Sequence, residues 1–145
     1  MKWRKKGPCS LVPPAEKTPK QELNEDWQQM RPAWRFSLVE MVDPYGWHEI
    51  SADGAMRVRE RLAGFESSTW KQILYQGGYR NHLIRLDRLC GPAQARLQAI
   101  GQDDIDSVMS LGVTQMERVF GIMDHNVMKI LWWDRNHQVC PGGDG

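Results

Sequence analysis

Cysteine is scarce in this chain: 3 among 145 residues, at Cys9, Cys90 and Cys140, with no CxxC pair. An odd, widely spaced set speaks against a disulfide framework or a zinc ribbon and points to a reducing, cytoplasmic compartment. The four histidines (His48, His82, His125 and His137) have no HExxH or other metal-ligand spacing, so neither a metal nor a cofactor is expected. Nowhere is there a run approaching the roughly 18 apolar residues of a membrane span. The charged start, Met1 to Lys6, is not followed by the apolar stretch of about 7–15 residues that a secretory leader carries. No membrane association is expected, and no internal repeat is visible.

Phe and Tyr are also rare, at three each, whereas Trp, usually among the rarest residues, occurs seven times. The net charge is only +1, which taken whole argues against a nucleic-acid binder. Counted by region, the charge separates into opposed blocks. Residues 1–35 carry eight basic and four acidic side chains, and residues 57–96 carry eight basic and three acidic. Residues 36–56 hold four acidic and no basic groups, and residues 97–145 hold seven acidic and three basic. Seven of the eight cations in the 57–96 block are Arg, the side chain suited to bidentate phosphate or carboxylate contacts.

Gly7-Pro8 and Pro13-Pro14 make the start of the chain a tail. Thr18-Pro19-Lys20-Gln21 has the form of a helix start, and Leu23, Trp27 and Met30 follow at helical spacing until Pro32. A basic, Pro-containing tail with a short amphipathic helix is therefore expected over 1–33, and one domain over 34–140. Trp34 to Val42 reads as a first strand, ended by the turn Asp43-Pro44-Tyr45-Gly46. Ser51 or Asp53 caps a helix over about 54–65, and a second short helix runs from Ser67 or Ser68 through Leu74 to Gly77-Gly78. Residues 79–86 are ambiguous. A third helical stretch from Asp87 includes Pro92, Ala93, Leu97 and Ile100, with Gly101 just past its end. Strands follow over the second half of 105–113, over 117–123 and over 127–133, the last two joined by the turn Asp124-His125-Asn126. The fold class expected is α+β: two layers, an antiparallel sheet with a C-terminal three-stranded meander, and two to three helices packed on one face.

This order, and the stretch ERVFGIMDHNVMKILWWDRNHQV above all, resembles the RelE/ParE superfamily of small bacterial toxins. The segments MVDPYGWHEI and ILWWDRNHQV also look like a group of uncharacterised small proteins of bacteria and mobile elements. The resemblance implies the toxin-like component of a bacterial toxin-antitoxin system, with an antitoxin encoded nearby, and an mRNA endoribonuclease that works without a metal on RNA or on the ribosome. It places Arg118 in the arm position of the family, and Arg135 and His137 in the post-strand segment where further catalytic residues fall.

Metal-free RNA cleavage needs a base for the 2′-hydroxyl, cations for the scissile phosphate and an acid for the leaving oxygen. His137 has the chemistry of the acid or base, and Arg118 and Arg135 that of the phosphate clamp. Trp133 offers a stacking surface for an unpaired base, and Lys129, Arg57 and Arg61 offer charge along the RNA backbone. Each has a structural alternative: Arg118 paired with Glu117, Asp134 or Asp106, one of Trp132 and Trp133 in the core, His137 at a turn. Two other classes stay open. One is a non-catalytic protein-interaction module with an apolar groove. The other is a nucleic-acid-binding accessory protein of a mobile element.

Overall fold

The computed structural model describes residues 21–75 and 80–141. Five strands form one sheet: β1 (Ala33–Arg35), β2 (His82–Arg85), β3 (Ser107–Gly112), β4 (Arg118–Asp124) and β5 (Val127–Asp134). Their order across the sheet is β1-β5-β4-β3-β2. The three helices are α1 (Ala52–Phe65), α2 (Trp70–Tyr75) and α3 (Gly91–Ala99). The α+β class and the meander β3-β4-β5 are as expected from the sequence. The sheet is mixed, however, because β1 runs parallel to β5 while every other pair is antiparallel. No helix among the described residues is long and apolar enough to cross a membrane.

Local chemistry explains the helix boundaries. Ser51 caps α1 by accepting the Gly54 N–H at 3.0 Å. Thr69 and Gln72 form a reciprocal capping box ahead of α2. Pro92 sits in the first turn of α3, and Gly101 follows its end with a φ of 71°, the left-handed conformation that suits glycine.

Helices lie on both faces of the sheet, not on one. Val58, Leu62 and Phe65 of α1 and Trp70 and Ile73 of α2 pack on Met109, Leu111, Val119, Met123, Met128, Ile130 and Trp133. The opposite face, with Val108, Phe120, Ile122, Leu131 and Trp132, is covered by Ala93 and Leu97 of α3 and by Tyr45, Val139 and Cys140. The switch of parity between Ile130 and Trp133 comes from a β-bulge. Phe120 pairs with Trp132 while Gly121 pairs with Ile130, so Leu131 is the extra residue.

Two further expectations need correction, and one ambiguous segment acquires a structure. The first strand stops at Arg35 instead of running to Val42, because the chain turns at Phe36 and then bonds irregularly to the bulged part of β5. Glu40 N–H donates to the Leu131 carbonyl at 3.0 Å, and Trp133 N–H donates to the Tyr45 carbonyl at 3.1 Å. The ambiguous segment 79–86 supplies an edge strand, β2, held by four ladder positions against β3. The helix expected before Pro32 is a single 3-10 turn over Trp27–Gln29 in the described part. That part of the 1–33 segment lies on the domain: Trp27 is buried, with its ring 6.1 Å from Trp70. The proposed start of that helix at Thr18-Pro19 and the Gly77-Gly78 stop lie outside the described residues.

Gly121, beside the bulge, has no room for a side chain, since a Cβ there would lie 2.5 Å from the Lys129 carbonyl and 2.8 Å from Met128. Gly64 in α1 faces open space. Gly121→Ala is expected to destabilise the fold by at least about 1–3 kcal/mol through overpacking. Gly64→Ala is expected to stabilise it by about 0.5–1 kcal/mol. Thermal or urea unfolding of the two variants checks both signs.

Candidate functional site

Adjacent tryptophans on β5 organise the C-terminal half. Trp132 points to one face and donates its indole N–H to Glu40 at 3.0 Å. Trp133 points to the other and donates to Glu117 at 3.1 Å. Each buried carboxylate is also gripped by an Arg from the helix on that face. Arg96 of α3 donates to both Glu40 oxygens at 2.9 and 2.6 Å. Arg57 of α1 donates to both Glu117 oxygens at 2.8 and 3.0 Å. Burial alone would raise the Glu40 pKa, but the bonds from Arg96 and Trp132 hold it below the usual value. The Arg57 bonds, aided by Trp133, hold Glu117 low despite its burial.

These clamps decide the fate of several residues singled out in the sequence. Trp133 is 4% exposed, so its ring offers no face for stacking a base. Arg57 is committed to Glu117. Arg61 donates from Nε to the Gly112 carbonyl at 2.7 Å and lies over the Phe65 ring. Lys129 lies within the sheet between Arg35 of β1 and Ile122 of β4, half-buried and distant in register from the 135–137 turn. The four expected RNA-contact residues therefore do not form one basic track.

The residues expected to be catalytic do come near one another. Arg118 is the ladder partner of Asp134, and Arg135 and His137 belong to the turn that follows. Asp134 is 2% exposed and accepts the Gln138 and Val139 N–H groups at 2.9 and 2.8 Å, which fixes that turn. His137 adopts a positive φ of 59° within it. Burial raises the Asp134 pKa, opposed by those two N–H bonds and by the nearby charges of His137 and Arg118. Arg118, however, is 7% exposed, and one guanidinium nitrogen donates to the Thr114, Gln115 and Glu117 carbonyls. It pins the loop before β4 and does not present that nitrogen to solvent.

Beside the turn is a small polar cleft of about 220 Å³, walled by Asp43, Tyr45 and Glu49 on one side and by Asp134, Arg135, Asn136 and Gln138 on the other. At its exposed rim Asp43, His48 and Glu49 bring three potential metal-ligating atoms within 4.8 Å of one another. His48 Nε2 lies 3.4 Å from Asp43 and 3.3 Å from Glu49, an ordinary arrangement of polar side chains at an exposed surface.

A larger, apolar feature lies elsewhere. Between α1 and the chain around β1 is a groove of about 510 Å³, lined chiefly by Trp34, Phe36, Trp47, Ile50, Val58 and Leu62. Trp34 closes one end by donating its indole N–H to Glu66 at 2.8 Å, and Trp47 is fixed by its indole N–H on the Leu131 carbonyl at 3.2 Å. Phe36 is 68% exposed at the groove, and Met56, one turn before the lining residue Arg59, is 62% exposed. The sequence reading places Phe36 within the first strand, Trp34 to Val42. The signal it lacked was the early end of β1, which leaves Phe36 outside the sheet.

No protein-family model, curated protein or solved structure matches the chain.

Glu40 and Glu117 have depressed pKa values in the folded protein, so each adds stability above the usual carboxylate value of 4.5 and loses it as pH falls through the lower folded value. Asp134, shifted upward, works in the opposite sense. Acid titration of stability is expected to fall below about pH 4.5, and Glu40→Gln with Glu117→Gln is expected to flatten that limb. An acid limb of unchanged slope in the double variant would contradict the assignment. Trp133→Phe, which removes a bond to a buried carboxylate, should cost about 1.5–3 kcal/mol in urea unfolding at neutral pH.

Proposed function

We propose that this chain is the toxin-like component of a two-gene bacterial system and that it works by binding a protein partner. The antitoxin-like product of a neighbouring frame is the natural candidate for that partner. The observation that carries this reading is the apolar groove beside α1, with Phe36 68% exposed at its edge. Large apolar side chains left in solvent at a concave site are a feature of protein-binding surfaces. A partner helix or strand with apolar residues on one face would bury Phe36 and fill the space between Trp34 and Trp47. The endoribonuclease form of the reading has less support. Arg118 is withdrawn among backbone carbonyls and Trp133 is in the core, which leaves Arg135 and His137 on the open side of the turn.

The test is co-expression with the product of the adjacent frame and titration of the purified pair by calorimetry. Phe36→Asp and Met56→Asp are expected to weaken binding by at least about tenfold, since each interface apolar anchor is worth more than about 1 kcal/mol. Both residues are exposed, so the melting temperature should stay where it is. Binding that is indifferent to both substitutions would refute the groove as the contact. Metal-free RNA cleavage that disappears in His137→Ala would refute the non-catalytic reading and restore the enzyme.

A further inference from the structure

At the opposite edge of the sheet, β2 borders a cleft of about 220 Å³ lined by Arg80, His82, Arg85 and Arg88, together with Leu83, Ile84 and Cys140. No carboxylate is among its lining residues. The three arginines are exposed and belong to the Arg-rich block of the sequence, but they lie apart from Arg57, Arg61 and Arg96, which are used up in structural contacts. Arg80 and Arg88 flank β2 in sequence, and the sharp turn after Arg85 brings the Arg88 backbone against Cys140, whose thiol donates to the Arg88 carbonyl at 3.4 Å. The walls of the cleft are thus held in place while its charged heads stay in water.

A second, independent feature lies on the same ladder. Ser110 is directly opposite His82 on β3, and residues so paired share a face of the sheet. Ser110 is fully buried, and its hydroxyl oxygen has no hydrogen-bond partner. Buried hydroxyls are normally bonded, and leaving one unbonded is costly. Ser110 thus holds the ladder position next to His82, one of the residues that line the cleft.

We infer that this cleft is an anion site, and that it takes a phosphate group. Three arginines line one small cleft, and a phosphate has more oxygens to offer them than the two of a carboxylate. Among the described residues, one of the three is paired across the surface: Arg85 meets Asp87 at 2.6 Å, with both side chains largely exposed, a contact worth little and readily exchanged. The shared chemistry is a phosphoester, carried either by a small phosphorylated molecule or by a single-stranded RNA backbone. This inference does not depend on the apolar groove, which lies at the other end of the strand order.

The experiment titrates the full chain with pyrophosphate and, separately, with a short fluorescent single-stranded oligouridylate, at about 50 mM and about 200 mM salt. Saturable binding of either probe is expected. Arg80→Ser with Arg88→Ser should weaken it at least about tenfold, and Asp87→Asn, by releasing Arg85, should tighten it by about two- to threefold. The second variant gains binding, so misfolding cannot account for the pair of results. For the oligonucleotide, one backbone phosphate seated in the cleft predicts a slope of about −0.7 of log affinity against log salt. Pyrophosphate binding without oligonucleotide binding would identify a small phosphate-bearing molecule as the ligand, and a salt-dependent oligonucleotide response would identify an RNA backbone. Absence of binding by both probes, or binding unchanged in the Arg80/Arg88 variant, would overturn the assignment.

Discussion

The structure depends on what happens around two neighbouring indoles. Trp132 and Trp133 sit side by side on β5, on opposite faces of the sheet, and each must find a partner for a buried N–H. Both solve it in the same way: a glutamate from outside the strands accepts the bond, and an arginine from the covering helix neutralises the glutamate. A buried carboxylate without its cation would be costly, so each element of a clamp requires the other two. Through Glu40 and Arg96 the 36–50 loop is tied to α3, and through Glu117 and Arg57 the loop before β4 is tied to α1. The bulge at Leu131 serves the same end, because the carbonyl of that extra residue receives both the Glu40 N–H and the Trp47 indole.

Those clamps explain which parts of the fold can be read from the sequence. The β4-β5 hairpin is legible because its turn chemistry and β-branched and aromatic arms are local properties. So are α1 and α3, marked by Ser51 and Pro92; α2 is legible in place, but Thr69 caps it where the sequence points to Ser67 or Ser68. The two-sided covering of the sheet is not local. β4 is buried from Arg118 through Met123, and apolar residues on both parities are the mark of a strand covered on both faces. The same feature in WRFSLVEMV misleads, since there it belongs to a chain that leaves the sheet after three residues. Glu40 in the middle of that run is the reason: its carboxylate is drawn in by Arg96 and Trp132 and its N–H by Leu131, contacts with residues far along the chain. The edge strand β2 is short, and its alternation is obscured by His82 and Arg85.

The candidate site was legible in location more than in role. The post-strand turn does gather Arg118, Asp134, Arg135 and His137, as the hairpin register requires. What a sequence does not reveal is how each cation is spent. Arg57, Arg61, Arg96 and Arg118 all satisfy carboxylates or carbonyls inside the molecule. Nothing in their local sequence separates them from Arg80, Arg85 and Arg88, which remain at the surface. Composition counts charges, whereas only the tertiary contacts say which of them are already neutralised.

The strand order sets the two surfaces apart. With β1 and β2 at the two edges and β3, β4 and β5 between them, the apolar groove and the arginine cleft occupy opposite borders of one sheet. Neither shares a lining residue with the other. A ligand at one border therefore leaves the other accessible, and substitutions at exposed residues of either should act separately, as distant sites without common partners do. The elements that join them are β4, β5 and the two tryptophan clamps. Any energetic coupling between the borders would have to pass through that most buried part of the molecule, where the bulge at Leu131 and the tight contact at Gly121 leave little room for a second arrangement.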